Sequence, residues 1–228
     1  MSYYRPAAAR GKANFGWLDS KHTFSFGHYY DPNHMGVSAL RVINDDTVAP
    51  GAGFDAHGHR DMEIVSYVLE GAVRHEDSMG NQYVVPAGDI QVMSAGSGIV
   101  HSEYNHSTKD AVRFLQIWIT PNQKGAAPGY QQTNIATNGK LTPLATPDGR
   151  ANSLILRQNA SIYRVNLEQG ETLRLGSIDQ PSYLHLIDGQ LSGKDVELSN
   201  ADGFGQESGQ VTEFVATKPV HALYFELP

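Results

Sequence analysis

Cysteine is absent from the chain, and with it go disulfide frameworks, thiolate zinc sites, iron–sulfur clusters and cysteine nucleophiles. Any bound metal must therefore be held by imidazole, carboxylate or water. Long apolar runs are missing too. No stretch approaches the roughly 18 uninterrupted apolar residues of a spanning helix. Met1 to Lys12 has basic residues but no apolar leader segment, so the expected compartment is the cytoplasm, with no membrane contact. Positive charge is scarce: 17 Lys and Arg stand against 24 Asp and Glu, a formal net charge of −7. A protein that grips a nucleic-acid backbone carries the opposite balance, so direct nucleic-acid contact is not expected. No Gly-x-Ser-x-Gly elbow occurs, and Gly96-Ser-Gly98 precedes a strand rather than opening a helix as a phosphate loop would.

What the chain has instead is turn residues and short β-type runs. Its 23 Gly and 11 Pro are spread evenly, and between them recur segments rich in Val, Ile, Leu and Tyr, the pattern of an all-β sandwich or barrel. One set of expected strands comprises Ser38 to Ile43, Glu63 to Glu70, Ala72 to Asp77, Gln82 to Val85, Ile90 to Ser94 and Val112 to Thr120. A second comprises Ser153 to Gln158, Ile162 to Leu167, Thr172 to Leu175, Tyr183 to Ile187, Val211 to Ala216 and His221 to Leu227. No segment sustains a helical period. Pro121 to Arg150, rich in Gly, Pro, Asn, Gln and Thr, reads as a connection with one short helix. A chain of 228 residues can bury one large or two small cores. The expected organisation is a β domain over 1–120, a connection over 121–150 and a second β domain over 151–228. Tyr67-Val-Leu-Glu-Gly71 resembles His185-Leu-Ile-Asp-Gly189 at an offset of 118 residues. The same offset carries His57 onto Leu175 and His59 onto Ser177, so the second half repeats the scaffold without the histidines.

Histidine is plentiful and lopsided: of ten, eight lie at or before His106. His57-Gly58-His59 places two imidazoles on one face of a strand, because side chains alternate with period two. His101-Ser102-Glu103 does the same for an imidazole and a carboxylate. Two such pairs on neighbouring strands supply three nitrogens and one anionic oxygen. That donor set suits iron, copper, manganese, nickel or zinc better than magnesium or calcium, which prefer all-oxygen shells.

The spacings around these pairs resemble the two signature motifs of the cupin superfamily. Gly51 stands five intervening residues before His57; Gly80, Pro86 and Gly88 follow; then Gly98, His101 and Asn105 complete the pattern. The segments His59-Arg-Asp-Met-Glu-Ile-Val-Ser-Tyr-Val-Leu-Glu-Gly71 and Ser94-Ala-Gly-Ser-Gly-Ile-Val-His-Ser-Glu103 depart from the general cupin pattern in the manner of the pirin family. Upstream, Gly16-Trp-Leu-Asp-Ser20, His22-Thr-Phe-Ser-Phe26, Tyr30-Asp-Pro32 and Ala39 to Asp46 are similar to compact bacterial pirin-like proteins that cleave flavonols, the quercetin 2,3-dioxygenases.

That resemblance implies a bicupin: two tandem jelly-roll (double-stranded β-helix) barrels with a metal site in the N-terminal one only. It implies His57, His59, His101 and Glu103 as ligands of one divalent transition metal, iron(II) first, with copper, manganese, nickel, cobalt or zinc as substitutes. The implied partners are a flavonol or similar aromatic enol and dioxygen, and the implied products are a depside and carbon monoxide, with Glu103 as candidate general base. Two alternatives accompany it: an iron-binding, redox-responsive regulator that binds a protein partner, and another cupin metalloenzyme acting on a different enol or phenol. Many pirins have Pro between the first two histidines, where this chain has Gly58.

Other polar residues have expected places. Asp61 or Glu63 could orient a ligand histidine by accepting its second N–H. If the strand parity of His57 and His59 persists, Glu63 points inward and is a candidate fifth contact. His75, between Arg74 and Glu76, is expected to face solvent, as is His106, whose parity is opposite to that of His101. His22, His28 and His34, set among Phe24, Phe26, Tyr29 and Tyr30, occupy a segment placed to line the barrel mouth. His185 and His221 read as structural.

Overall fold

The computed structural model describes residues 3–228. Period-two alternation governs the local structure. In Ile99–Asn105 the residues Ile99, His101, Glu103 and Asn105 are buried, and those between them reach solvent. Among the described residues there is no α-helix, only two single 3-10 turns, Ala7–Ala9 and Arg150–Asn152.

The first twelve strands are β1 (Tyr3–Arg5), β2 (Gly11–Asn14), β3 (Leu18–His22), β4 (Leu40–Val48), β5 (Gly53–His59), β6 (Glu63–Glu70), β7 (Ala72–Asp77), β8 (Gln82–Pro86), β9 (Asp89–Ser94), β10 (Ile99–Asn105), β11 (Val112–Ile119) and β12 (Gly129–Asn134). The remaining eight are β13 (Leu141–Thr146), β14 (Leu154–Ile155), β15 (Ser161–Leu167), β16 (Thr172–Ser177), β17 (Ser182–Ser192), β18 (Glu197–Ser199), β19 (Gly203–Gln206) and β20 (Gln210–Glu226). The N-terminal barrel is built from a seven-stranded sheet in the order β12-β9-β6-β11-β4-β3-β2 and a four-stranded sheet in the order β5-β10-β7-β8. In the C-terminal barrel the path is β1-β19-β17-β20-β15-β13-β14, with β16 also on β20 and β18 also on β17.

Strands β2, β3, β5, β10, β18 and β19 lie outside the two expected sets of strands, the expected strand Ser153 to Gln158 is only Leu154–Ile155, and three further departures bear on how the two barrels join. The 121–150 interval carries no short helix before its last residue. It contributes β12 to the first barrel and β13 to the second. The two expected strands Val211 to Ala216 and His221 to Leu227 are one continuous strand, β20, which pairs with β16 through its first half and with β15 through its second. The amino-terminal β1 crosses over to pair with β19 of the second barrel.

The central strands β6 and β9 of the first barrel's large sheet are covered on both faces and are buried at nearly every position, polar residues included. The outer face of that sheet, through Ile43, Val65, Tyr67, Ile90, Leu115 and Ile117, shares one core with Leu144, Leu156, Ile162, Ile187, Leu223 and Phe225 of the second half. Each such fully buried side chain contributes about 1.5–3 kcal/mol, so the two barrels stabilise each other. The interior of the second barrel is filled by Val165, Leu175, Leu186, Phe204, Phe214 and their neighbours. Leu175, the counterpart of His57 in the repeat, is part of that apolar filling.

The first barrel is different inside. Apolar side chains occupy its two ends: Leu18, Val48, Val68 and Phe114 at one, Ile64, Met93, Ala95 and Ile99 at the other. Between them runs a polar belt. Register places His22 of β3 opposite Asn44 of β4, Asn44 opposite Gln116 of β11, Gln116 opposite Ser66 of β6, and Ser66 opposite Gln91 of β9. Buried polar groups of this kind must be paired or must meet a ligand.

Candidate metal centre and its cavity

Strands β5 and β10 run antiparallel with His101 opposite His57 and Ile99 opposite His59, and a bulge follows, so that Glu103 faces Phe54. The three imidazoles converge. Ring centroids are 4.8 Å apart for His57 and His59, 4.6 Å for His57 and His101, and 4.9 Å for His59 and His101. One nitrogen from each ring lies within 4.8 Å of the others, close enough to share an ion. Nδ1–H of His57 donates to the Asp55 carbonyl at 2.7 Å, which leaves its Nε2 lone pair free. His101 is buried, and neither of its ring nitrogens has a partner among the described residues. Such an orphaned imidazole is costly unless something binds it, so the donor set fits a transition metal. Burial, with His101 and His57 close by, pushes His59 down to about 4, and burial, with His57 and His75 close by, pushes His101 down to about 3. Both rings are therefore neutral near pH 7, the form that binds metals.

Glu103 rises from β10 onto the polar belt. Its Oε1 accepts from Ser66 Oγ at 2.9 Å and Gln91 Nε2 at 3.3 Å, and its Oε2 accepts from Gln116 Nε2 at 2.6 Å. Tyr130 in turn donates to Gln91 Oε1 at 3.0 Å, fixing that amide. The carboxylate clusters within 4.8 Å of ligand atoms of His101 and also of His75. Below it, Asn105 Nδ2 donates to the carbonyls of Val48, Ala49 and Asp110, pinning the end of β10.

His75 does not face solvent. It is fully buried, shares the inward parity of Val73 and Asp77, hydrogen-bonds through Nε2 to Asp77 Oδ2 at 3.0 Å, and packs 5.4 Å from the His101 ring. Its exposed neighbours Arg74 and Glu76 belong to the other face of the same strand.

Asp61 and Glu63, expected to orient a ligand histidine, are engaged elsewhere. Asp61 Oδ1 accepts from the Gly125 amide at 2.7 Å. Glu63 Oε2 accepts from Ser94 Oγ at 2.9 Å and from the Arg157 amide at 3.2 Å, tying the first barrel to the second half. The reason is a turn at Arg60–Met62, where Asp61 has φ +50°. The strand restarts after it, so the parity of His57 and His59 does not carry over to Glu63. Gly58 is exposed, and a Cβ there would meet only the Ile99 carbonyl at 3.9 Å, so the position tolerates a side chain.

A cavity of about 390 Å³ opens onto this cluster, within the range of small-molecule sites. His57, His59, Glu103, Gln116 and Trp118 form its inner end, and Phe15, Leu18, Phe26 and Tyr29 supply apolar walls. Of the three upstream histidines, His22 and His28 line it, whereas His34 instead contacts the Tyr3 hydroxyl through Nδ1. His106 is exposed, His185 is buried away from the cavity, and His221 Nε2 meets the Tyr67 hydroxyl at 3.0 Å across the barrel interface.

The titration behaviour of metal-free protein follows. His59, His101 and His185, the last pushed down to about 3 by burial, stay neutral in the fold but take up protons once unfolded below about pH 6.5. The unfolded state then binds more protons, so these three make stability fall as pH drops. Asp46, pushed up to about 7, and Glu63, also raised, act in the opposite sense because the fold holds their protons longer. His22, His34 and His221, also lowered by burial, act with these three, and together the histidines outweigh the two carboxyls between about pH 4 and 6.5. Urea midpoints of metal-free protein should rise with pH across that window and level off above it.

Comparison with known proteins agrees with this architecture. Residues 4–119 match the family profile described as Pirin, and residues 143–227 match that described as quercetinase C-terminal cupin domain. A quercetin 2,3-dioxygenase of Escherichia coli K12 is 46% identical over 100% of this chain and 99% of its own length. A pirin-like protein of Caulobacter vibrioides is 42% identical over 93% of each chain. Among solved structures, the bacterial pirin YhhW of Escherichia coli in complex with nickel(II) superimposes with a TM-score of 0.96 at 45% identity, covering 100% of this chain and 99% of the other.

Proposed function

We propose that this chain, which belongs to the pirin family, is a metal-dependent dioxygenase that cleaves flavonols such as quercetin with dioxygen to a depside and carbon monoxide. The observation that carries the reading is the convergence of the His57, His59 and His101 imidazoles, with the held carboxylate of Glu103 clustered beside His101, at the inner end of an aromatic-walled cavity. His57, His59, His101 and Glu103 are the residues that would hold the ion. We take iron(II) as its first identity; nickel(II) is the ion in the YhhW complex, and copper, manganese, cobalt and zinc suit the same donors. A divalent ion there supplies Lewis acidity toward the 3-hydroxyl and 4-keto oxygens of a flavonol and brings dioxygen chemistry within reach.

The protein's own residues do the rest. Three neutral imidazoles and one carboxylate leave a divalent site about one positive charge, which favours the substrate's enolate over its enol. Glu103 accepts the 3-hydroxyl proton, and Ser66, Gln91 and Gln116 fix the plane of its carboxyl group so that the transfer needs no reorientation. Phe15, Phe26, Tyr29 and Trp118 offer flat apolar surfaces to fused rings and exclude water around the reacting carbon atoms.

The test is turnover by purified protein loaded in turn with iron, nickel, copper, manganese and cobalt. Loss of flavonol absorbance with equal consumption of dioxygen and release of carbon monoxide supports the reading. No bleaching with any ion refutes it and leaves the regulatory alternative ahead.

A further inference from the structure

A second carboxyl faces the same cavity, and the metal site does not use it. Asp46 lies on the inner face of β4, opposite Ser20 of β3 and Phe114 of β11, two residues along from Asn44 in the polar belt. Only 2% of it is exposed, Ser20 is its hydrogen-bond partner, and its Oδ1 has none among the described residues. Glu103, by contrast, is held by three side-chain donors. A buried carboxyl oxygen left open toward an apolar cavity stands where a bound molecule would satisfy it. Burial, reinforced by the neighbouring Asp45 and Glu103, pushes Asp46 up to about 7. Below that pH the group is a neutral acid with one O–H to donate and one carbonyl oxygen to accept. A phenolic hydroxyl, able to donate or to accept, pairs with the open Oδ1 in either protonation state; a bare aromatic edge leaves it unpaired.

We propose that Asp46 recognises a phenolic hydroxyl other than the one that reacts, so that the site selects polyhydroxylated aromatic substrates over those carrying the reacting hydroxyl alone. The inference rests on the flavonol reading for the identity of the reacting hydroxyl. Gln116 and Glu103 serve the reacting end, and Asp46 with Ser20 serves a ring hydroxyl elsewhere on the molecule.

The test compares quercetin, which carries further ring hydroxyls, with 3-hydroxyflavone, which has only the reacting one. Dissociation constants for the metal-loaded protein are read from quenching of Trp118, which lines the cavity. Wild type should bind quercetin more tightly by about tenfold, the loss one buried hydrogen bond produces. Asp46→Leu should bring the two to within about twofold, while Asp46→Asn, which keeps a donor and an acceptor, should retain most of the preference. Metal content and circular dichroism should not change. Asp46→Ala is the alternative truncation if leucine prevents folding. A preference that survives in the truncated variants, or is absent from wild type, overturns the proposal. Oxygen consumption is measured on the same samples. Discrimination without consumption upholds Asp46 and refutes the dioxygenase reading; consumption without discrimination does the reverse.

Discussion

Replacing His101 by alanine is expected to abolish metal binding and flavonol turnover together while leaving the metal-free fold in place. His101 is the shared member of both clusters of ligand atoms, and both its nitrogens are buried without partners. Its removal leaves His57 and His59 on one side and the belt-bound Glu103 on the other, with nothing between them. Loss of an outer hydrogen-bond partner costs metal sites about 10- to 100-fold in affinity, and loss of a central ligand should exceed that. Stability of the metal-free protein should fall far less than activity. In metal-free protein the substitution deletes an unsatisfied polar ring, which offsets part of the cavity it leaves. Elemental analysis and a thermal melt, with exposed His106→Ala as control, separate the two effects.

Glu103→Gln is expected to lower kcat by about 10²–10⁴ at saturating metal, the range that general-base catalysis contributes. It keeps the shape but not the acceptor capacity. Ser66, Gln91 and Gln116 all donate toward this carboxylate, and an amide must turn its own NH₂ toward one of them. A buried donor facing a donor costs about 1–3 kcal/mol, so the variant should also melt earlier than wild type. Metal affinity should fall less than in His101→Ala, because three imidazoles remain. A variant with unchanged kcat would remove Glu103 from the proton transfer.

The placement of the candidate ligands in two same-face pairs was legible in the sequence because that signal is local. His57 with His59, and His101 with Glu103, are each two apart on a strand, and strand geometry alone puts each pair on one face. The pairing of the two strands, with His57 opposite His101, had to come from the structure. Local chemistry misled at two places. Arg74 and Glu76 made His75 look exposed, although Val73, His75 and Asp77 share the buried parity. The parity of His57 was extended to Glu63 across a turn that resets it. The polar belt leaves only a faint trace in the sequence: a single polar residue between apolar ones, as in Val65-Ser66-Tyr67, Ile90-Gln91-Val92 and Leu115-Gln116-Ile117. Each alone is ordinary, and only cross-strand register lines them up beneath Glu103. Asp46 was harder still, since Asn44-Asp45-Asp46 resembles a turn and yet continues β4. There Asp45 faces outward to Arg113, at 2.9 Å, and Asp46 faces the cavity.

The most direct test of the central claim is anomalous scattering from a crystal of the metal-loaded protein, collected on both sides of the ion's absorption edge. The expected result is one peak per chain bonded at about 2.0–2.2 Å to a nitrogen of each of His57, His59 and His101 and to a carboxylate oxygen of Glu103. A peak centred instead on His75 and Asp77, or no peak in protein that still consumes dioxygen with a flavonol, would contradict it.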